Sequence, residues 1–363
     1  MTDRSTLGEA LAERGVSRRR LLQFCSSVAA WLALPGGSVR AMAAAMEKAR
    51  RPSVIWLSLQ ECTGCTESLT RASSPSVEDL ILELISLDYH HTLQAASGHV
   101  AEAAREQAMV DNRGQYILLV DGSIPLGNPG YSTIAGVDNR RLLEQTAAGA
   151  AMVIAVGTCA AFGGLPMANP NPTGAVPVNH LIHDKPLVNL PGCPPIAAVI
   201  TAVLAHFLTF GRLPALDDLR RPRAFYGETI HDRCYRRPFY ERGLFAETFD
   251  DVGARQGWCL FKLGCKGPTT YNACATLKWN GGVSFPIQSG HGCLGCSEAR
   301  FWDHGCFYAP LSTPILTAGA PAGVALVAGA ALGAGMAAQA RQARAVARQT
   351  HCPITSGDLE GTS

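Results

Sequence analysis

From residue 53 the chain alternates short apolar, β-branched runs with longer helix-patterned stretches. Residues 53–59, 116–120, 151–156 and 187–190 are apolar on both alternating sides and too short for helices, so each reads as a buried strand. Between and after them, residues 77–85, 100–109 and 140–148 carry amphipathic helical spacing, and residues 196–210 form an apolar helix. Strand and helix taking turns in this way predict an α/β architecture, a parallel sheet flanked by helices. From about residue 216 the alternation stops. Gly, Pro and Cys become dense and few aliphatic runs remain, which points to a small irregular domain that folds around bound groups.

The two ends have a different grammar. Ser17-Arg18-Arg19-Arg20-Leu21-Leu22-Gln23 precedes a modest apolar stretch over 24–35 and then the small-residue zone Arg40-Ala41-Met42-Ala43-Ala44-Ala45. A charged head, a short apolar middle and an Ala-x-Ala tail are the parts of an export signal. The paired arginines resemble a twin-arginine signal, with Leu21 where Phe is usual and Gln23 where Lys is common. A basic amphipathic helix is the alternative. Export of an already folded chain would protect its thiols in an oxidising compartment, because thiolates bound to metal do not pair as disulfides. Cleavage is expected near residues 43–46, and Cys25 would leave with the signal. At the other end, residues 305–340 contain no Asp, Glu, Lys or Arg, and the 24 residues 315–338 suffice to span a membrane core of about 30 Å. Gly319/Gly323 and Gly329/Gly333 would let a second helix approach closely. Arg341, Arg344 and Arg348 follow, which places the tail in the cytoplasm. A buried soluble helix or a flexible Ala/Gly tail is the alternative there.

Charge narrows the field further. Lys+Arg total 31 against 29 Asp+Glu, so no basic face for nucleic acid is expected. A chain that is 47% hydrophobic and 17% charged can bury enough apolar surface to exclude wholesale disorder. Cysteine changes the picture most. There are 13, and 11 fall between Cys62 and Cys306, in a chain too large to need disulfide staples. Cys62 and Cys65 follow the first strand, Cys159 the strand ending at Val156, and Cys193 the strand ending at Leu190. Ligands of open α/β sheets gather at the carboxyl ends of strands, so three distant loops can bring four thiolates to one place. Such a set suits an iron–sulfur cluster or zinc.

Glu61-Cys62-Thr63-Gly64-Cys65-Thr66-Glu67, Gly157-Thr158-Cys159 with Gly163-Gly164, Asn169-Pro170-Asn171-Pro172-Thr173-Gly174 and Pro191-Gly192-Cys193-Pro194-Pro195 resemble the small subunit of nickel–iron hydrogenases. So do His231-Asp232-Arg233-Cys234, Gly257-Trp258-Cys259, Cys265-Lys266-Gly267-Pro268, Cys274 and Phe285-Pro286 through Gly292-Cys293-Leu294-Gly295-Cys296. The motifs occur in the family's order from the twin arginines through Tyr308. The resemblance implies a flavodoxin-like sheet domain, a small iron–sulfur domain and a C-terminal transmembrane helix. It implies three clusters: proximal 4Fe–4S on Cys62, Cys65, Cys159 and Cys193; distal 4Fe–4S on His231, Cys234, Cys259 and Cys265; medial on Cys274, Cys293 and Cys296. The medial cluster would be 3Fe–4S, with Pro286 standing where a fourth Cys would otherwise be. Cys306 is left over and reads as a small buried hydrophobe. A neutral imidazole in place of a thiolate raises a cluster's potential, which suits His231 to the end where electrons leave. Some oxygen-tolerant members of the family this sequence resembles carry two additional cysteines around the proximal cluster. Gly64 and Gly164 stand at those places, so an oxygen-sensitive enzyme is expected.

The expected organisation is a signal over 1–46, a flavodoxin-like domain over 47–215, an iron–sulfur domain over 216–310, an anchor over 311–340 and a cytoplasmic tail over 341–363. The expected activity is electron relay for H2 ⇌ 2 H+ + 2 e−, with no catalytic residue in this chain and the nickel–iron centre in a partner large subunit. A membrane cytochrome b or another quinone-linked membrane protein would accept the electrons, on the periplasmic side of the inner membrane. Two rivals stay open. One is a complex I-like subunit, which would lack the 231–296 region. The other is an exported disulfide-rich or zinc-binding protein, which would be colourless.

Overall fold

The structure, a computed structural model, describes Thr6, Gly8 and Glu9, residues 17–48, 51–73, 76, 80, 84–303 and 308–311. The described residues up to Leu311 belong to one compact unit, and Ser312–Ser363 lie outside the described residues. The expected helix over 77–85 also lies largely outside them, as do Cys306 and the anchor and tail beyond Leu311. Among the described residues no helix is long and apolar enough to cross a membrane.

Five parallel strands make the central sheet: β1 (Ser53–Ser58), β2 (Ser86–His90), β3 (Ile117–Asp121), β4 (Met152–Val156) and β5 (Leu187–Leu190), in the order β2-β1-β3-β4-β5. That order is the flavodoxin arrangement, whose switch point lies between β1 and β3. Successive side chains of a strand point to opposite faces, and both faces are buried. Val54, Trp56, Ile117, Leu119, Met152, Ile154 and Val188 join one core. Ile55, Leu57, Leu118, Val120, Val153 and Ala155 join the other. Continuous apolar strands follow from this two-sided burial.

The second core is closed by α4 (Gly98–Asp111), α5 (Asn139–Ala148) and α6 (Gly157–Phe162), which follow α3 (Gly64–Thr70) in chain order. The first is closed by α7 (Ala197–Phe210), by residues of the irregular segment such as Phe225, Tyr226, Ile230 and Phe285, and by two helices from the N-terminus. These are α1 (Arg18–Trp31) and α2 (Ser38–Lys48), from the stretch read in the sequence as an export signal. The spacing of that stretch is legible in the sequence, but its packing onto the body is not.

Four expected strands and three expected helices coincide with observed elements to within one or two residues. β2 is not expected from the sequence: its residues, SLDYH, alternate with polar positions and have too little apolar character to stand out. Beyond residue 216 the chain folds as 3-10 turns, isolated bridges and the short helices α8 (Arg223–Tyr226), α9 (Arg237–Glu241) and α10 (Val252–Arg255). The irregular character read from its composition is borne out.

Candidate functional site

Every cysteine singled out for ligation is described, and all the described cysteines are free thiols. The first set sits where the strands deliver it. β1 leads to Cys62 and Cys65 at the start of α3, β4 to Cys159 in α6, and β5 to Cys193. Burial holds the Cys65 thiol well above its ordinary range, and the neighbouring Asp121, Cys159, Cys193 and Cys62 raise it further. Cys159 is pushed up to about 12 by burial, then by Cys193. Cys193 is raised by burial and by Cys62. Cys65, Cys159 and Cys193 are each raised by at least one other cysteine of the set, so the three loops do converge. Glycine makes the approach feasible: a Cβ on Gly164, at φ +55°, would lie 2.6 Å from Cys159 Sγ.

Thr158 ties these loops to the second half of the chain. Its hydroxyl accepts from Gly192 N at 2.9 Å and donates to the carbonyl of Cys296. Sequence reasoning passes over it because a threonine beside a motif cysteine carries no distinctive signal. It also passes over Asp121, a fully buried carboxylate at the end of β3. Burial pushes Asp121 up to about 7, which Ser58 and Trp56 partly offset; Trp56 Nε1 donates to its Oδ1 at 3.0 Å. An Asp-Gly pair closing an apolar strand is the available signal.

The other two sets line cavities. His231, Cys234, Cys259 and Cys265 share one with Leu260, Phe261 and Ile287. Burial lowers the affinity of His231 for its proton, so the ring is neutral, and Tyr240 packs edge-on at 4.6 Å. Cys259 is pushed up to about 11 by burial. Cys274, Cys293 and Cys296 line the next cavity together with Pro286, Trp279, Asn272 and Cys193. Burial pushes Cys274 and Cys296 up to about 12. The cavities are joined through backbone. Cys293 N donates to Cys265 Sγ at 3.3 Å, and Gly295 N donates to Cys293 Sγ at 3.4 Å. Buried Arg221 reaches Asp217 at 2.8 Å and Glu298 at 3.1 Å, which pins the loop after Cys296.

These surroundings fit iron–sulfur groups. Three thiols and a neutral imidazole are a soft donor set in an apolar pocket. In the middle cavity, Asn272 Oδ1 is buried without a partner among the described residues, and the Trp279 side chain faces the Cys274 thiol and offsets its rise. A buried N–H among thiols suits a sulfide-rich occupant. Among the described residues no three His, Cys, Asp or Glu side chains converge on a point suited to a single ion. Glu67 is exposed and pairs with Arg71 at 2.6 Å. His291 packs instead of facing a thiol: its ring stacks on Phe249 at 6.1 Å.

Residues 226–308 match the family described as the C-terminal part of the NiFe/NiFeSe hydrogenase small subunit, and residues 62–207 match NADH ubiquinone oxidoreductase, 20 Kd subunit. The uptake hydrogenase small subunit of Azotobacter vinelandii is 51% identical, over 86% of this chain and 88% of its own. This chain belongs to the small subunits of nickel–iron hydrogenases. The Cupriavidus necator uptake hydrogenase small subunit is 48% identical over 97% of this chain and 98% of its own. Among solved structures, the [NiFeSe]-hydrogenase of Dm. baculatum aligns with a TM-score of 0.68 at 35% identity, covering 72% of this chain and 100% of that one. This hydrogenase small subunit is thus the electron-transfer part of an oxidoreductase whose active site lies in the large subunit, and family membership implies iron–sulfur clusters.

Proposed function

We propose that the chain holds three clusters in series between a large-subunit nickel–iron centre and a membrane acceptor. Cys62, Cys65, Cys159 and Cys193 would hold a proximal 4Fe–4S cluster. Cys274, Cys293 and Cys296, with Pro286, would hold a medial 3Fe–4S cluster. His231, Cys234, Cys259 and Cys265 would hold a distal 4Fe–4S cluster. One observation carries the reading: the three donor sets are contiguous. Cys193 of the first set lines the cavity of the second, and Cys293 of the second donates its N–H to Cys265 of the third.

Bound there, the clusters supply one-electron transfer for H2 ⇌ 2 H+ + 2 e−. The chain's own residues hold, space and shield them. Phe261, Leu260 and Ile287 keep water from the third site, and the N–H donors to Cys265 and Cys293 stabilise negative charge on those sulfurs. Gly64 and Gly164 leave the first set with four thiols and no additional pair, which supports an oxygen-sensitive enzyme. Sustained hydrogen oxidation under air by the purified complex would overturn that part.

The ends complete the proposal. Residues 1–46 act as a twin-arginine leader, 311–340 anchor the exported body to the inner membrane from the periplasmic side, and a cytochrome b or other quinone-linked membrane protein receives the electrons. The match of residues 62–207 to a complex I-type protein spans only the sheet domain; the match over 226–308 separates the two readings. Anaerobic purification with copurifying subunits, with iron, sulfide and nickel counts and EPR, tests the cluster assignment. Oxidised material is expected to show a 3Fe–4S signal, and Pro286→Cys is expected to abolish it by supplying the fourth thiolate. Pale material free of labile sulfide would refute the assignment.

A further inference from the structure

Residues 18–48 are folded against the body. Ser17 caps α1, its hydroxyl accepting from Arg20 N at 3.4 Å. Leu21, Phe24, Cys25 and Val28 recur at helical spacing and are buried, while Gln23 and Ser26 on the other side are exposed. On α2 the buried residues are Met42, Ala43 and Met46. Cys25 Sγ lies 3.9 Å from Met46 Sδ, and both helices pack on α7. Cys25, Val28, Met42 and Met46 have no exposed surface, and they share one core with Trp56 of β1 and Val199, Ile200 and Val203 of α7. This is why α7 can be apolar all round. The arginine pair has the opposite fate. Arg18 and Arg19 are exposed, with Arg18 pairing with Glu47 at 3.4 Å at the rim.

We propose that the outer face of α7 is a docking surface for the chain's own leader, so that the unprocessed chain displays its arginine pair while burying its cleavage site. The small-residue run at 41–45 lies inside α2, with Met42 and Ala43 turned into the core. A protease takes its substrate extended, through backbone N–H and C=O groups that a helix has already used. Processing therefore requires α1 and α2 to leave α7 first. The inference rests on reading residues 1–46 as an export leader.

The test uses the full-length chain with its large subunit, taken from cells whose folded-protein export is blocked. Amides of the buried turns of α1 and α2 are expected to exchange about 100-fold or more slowly than in an unstructured chain. Exchange at the unstructured rate would overturn the docking. Val28→Asp and Met46→Asp are expected to speed tryptic cutting after Arg40 by about tenfold or more, because a buried carboxylate expels the helix. Ala44→Glu, on the exposed side of α2, is expected to leave the rate unchanged. Equal rates in the wild type and both buried-face variants would refute the docking, as would equal loss of protection in the Ala44→Glu control. Dye-linked hydrogen oxidation confirms that each variant's body is folded, and exchange in the wild type decides the matter without any variant. The leader reading is tested separately. Arg18→Lys with Arg19→Lys is expected to strand the enzyme in the cytoplasm; unchanged export would refute that reading and leave the exchange result to judge the docking alone.

Discussion

At the scale of single residues, the proposed ligand sets depend on neighbours outside those sets. Thr158 is the clearest. One hydroxyl serves the Gly192 N–H next to Cys193 and the carbonyl of Cys296, while its own residue precedes Cys159. Thr158→Val leaves both buried partners unmatched and should destabilise the chain by about 1–3 kcal/mol. The expected result is a lower thermal unfolding midpoint, with Thr158→Ser close to wild type. His90 offers a pH test. Its Nδ1 accepts from Thr92 N at 3.2 Å, which leaves the Nε2 proton to donate to Thr66 Oγ1 at 3.2 Å. Burial, then His91, lowers its pKa from 6.5 to about 4. The unfolded chain binds this proton more readily, so stability is full above pH 6.5 and is lost as pH falls toward 4. The loss is about 3 kcal/mol at most. Unfolding midpoints between pH 7 and 5 should fall more steeply in the wild type than in His90→Gln; parallel slopes would remove His90 from the account.

At the scale of elements, the sheet places the chemistry by ending its strands at one edge. β1, β4 and β5 stop just before their cysteines, and β3 stops at Asp121. α6 has to turn sharply after Cys159, and Gly163 and Gly164 both adopt positive φ to do so. At Gly192, whose φ is +152°, a methyl group would meet Pro195 Cα, Pro194 O and Pro195 N within 2.9 Å, all of them backbone atoms of the turn that carries Cys193. Gly192→Ala should therefore cost the proposed first donor set. Iron per chain is expected to fall by one cluster's complement while the other two proposed sets keep theirs. A full iron count in a folded Gly192→Ala complex would show that this turn has more room than its backbone indicates.

At the scale of the whole molecule, a sheet domain and an irregular segment share one core around the donor sets, and the chain continues past Leu311 into an uncharged segment. Truncation after Leu311 tests the proposed anchor. Hydrogenase activity is expected to move from the membrane to the soluble fraction with dye-linked hydrogen oxidation retained and quinone-linked oxidation lost. Activity that stays on the membrane would assign attachment to another surface or subunit.

Much of this is written in the sequence alone. Strand runs apolar on both sides can only sit in a doubly covered sheet, and cysteines just beyond such strands must gather at its carboxyl edge. The His231–Cys234 spacing and the order of the motifs point to the family before any contact is known. Tertiary structure decides what local pattern does not encode. β2 exists because β1 offers it a partner along the sheet edge, although its own residues are half polar. Thr158 and Asp121 matter because loops remote in sequence meet there. α1 and α2 are part of the core because α7 presents an apolar face to them, and nothing within residues 18–48 announces what lies opposite. Periodicity records which side of an element avoids water; only the assembled chain settles what that side rests against.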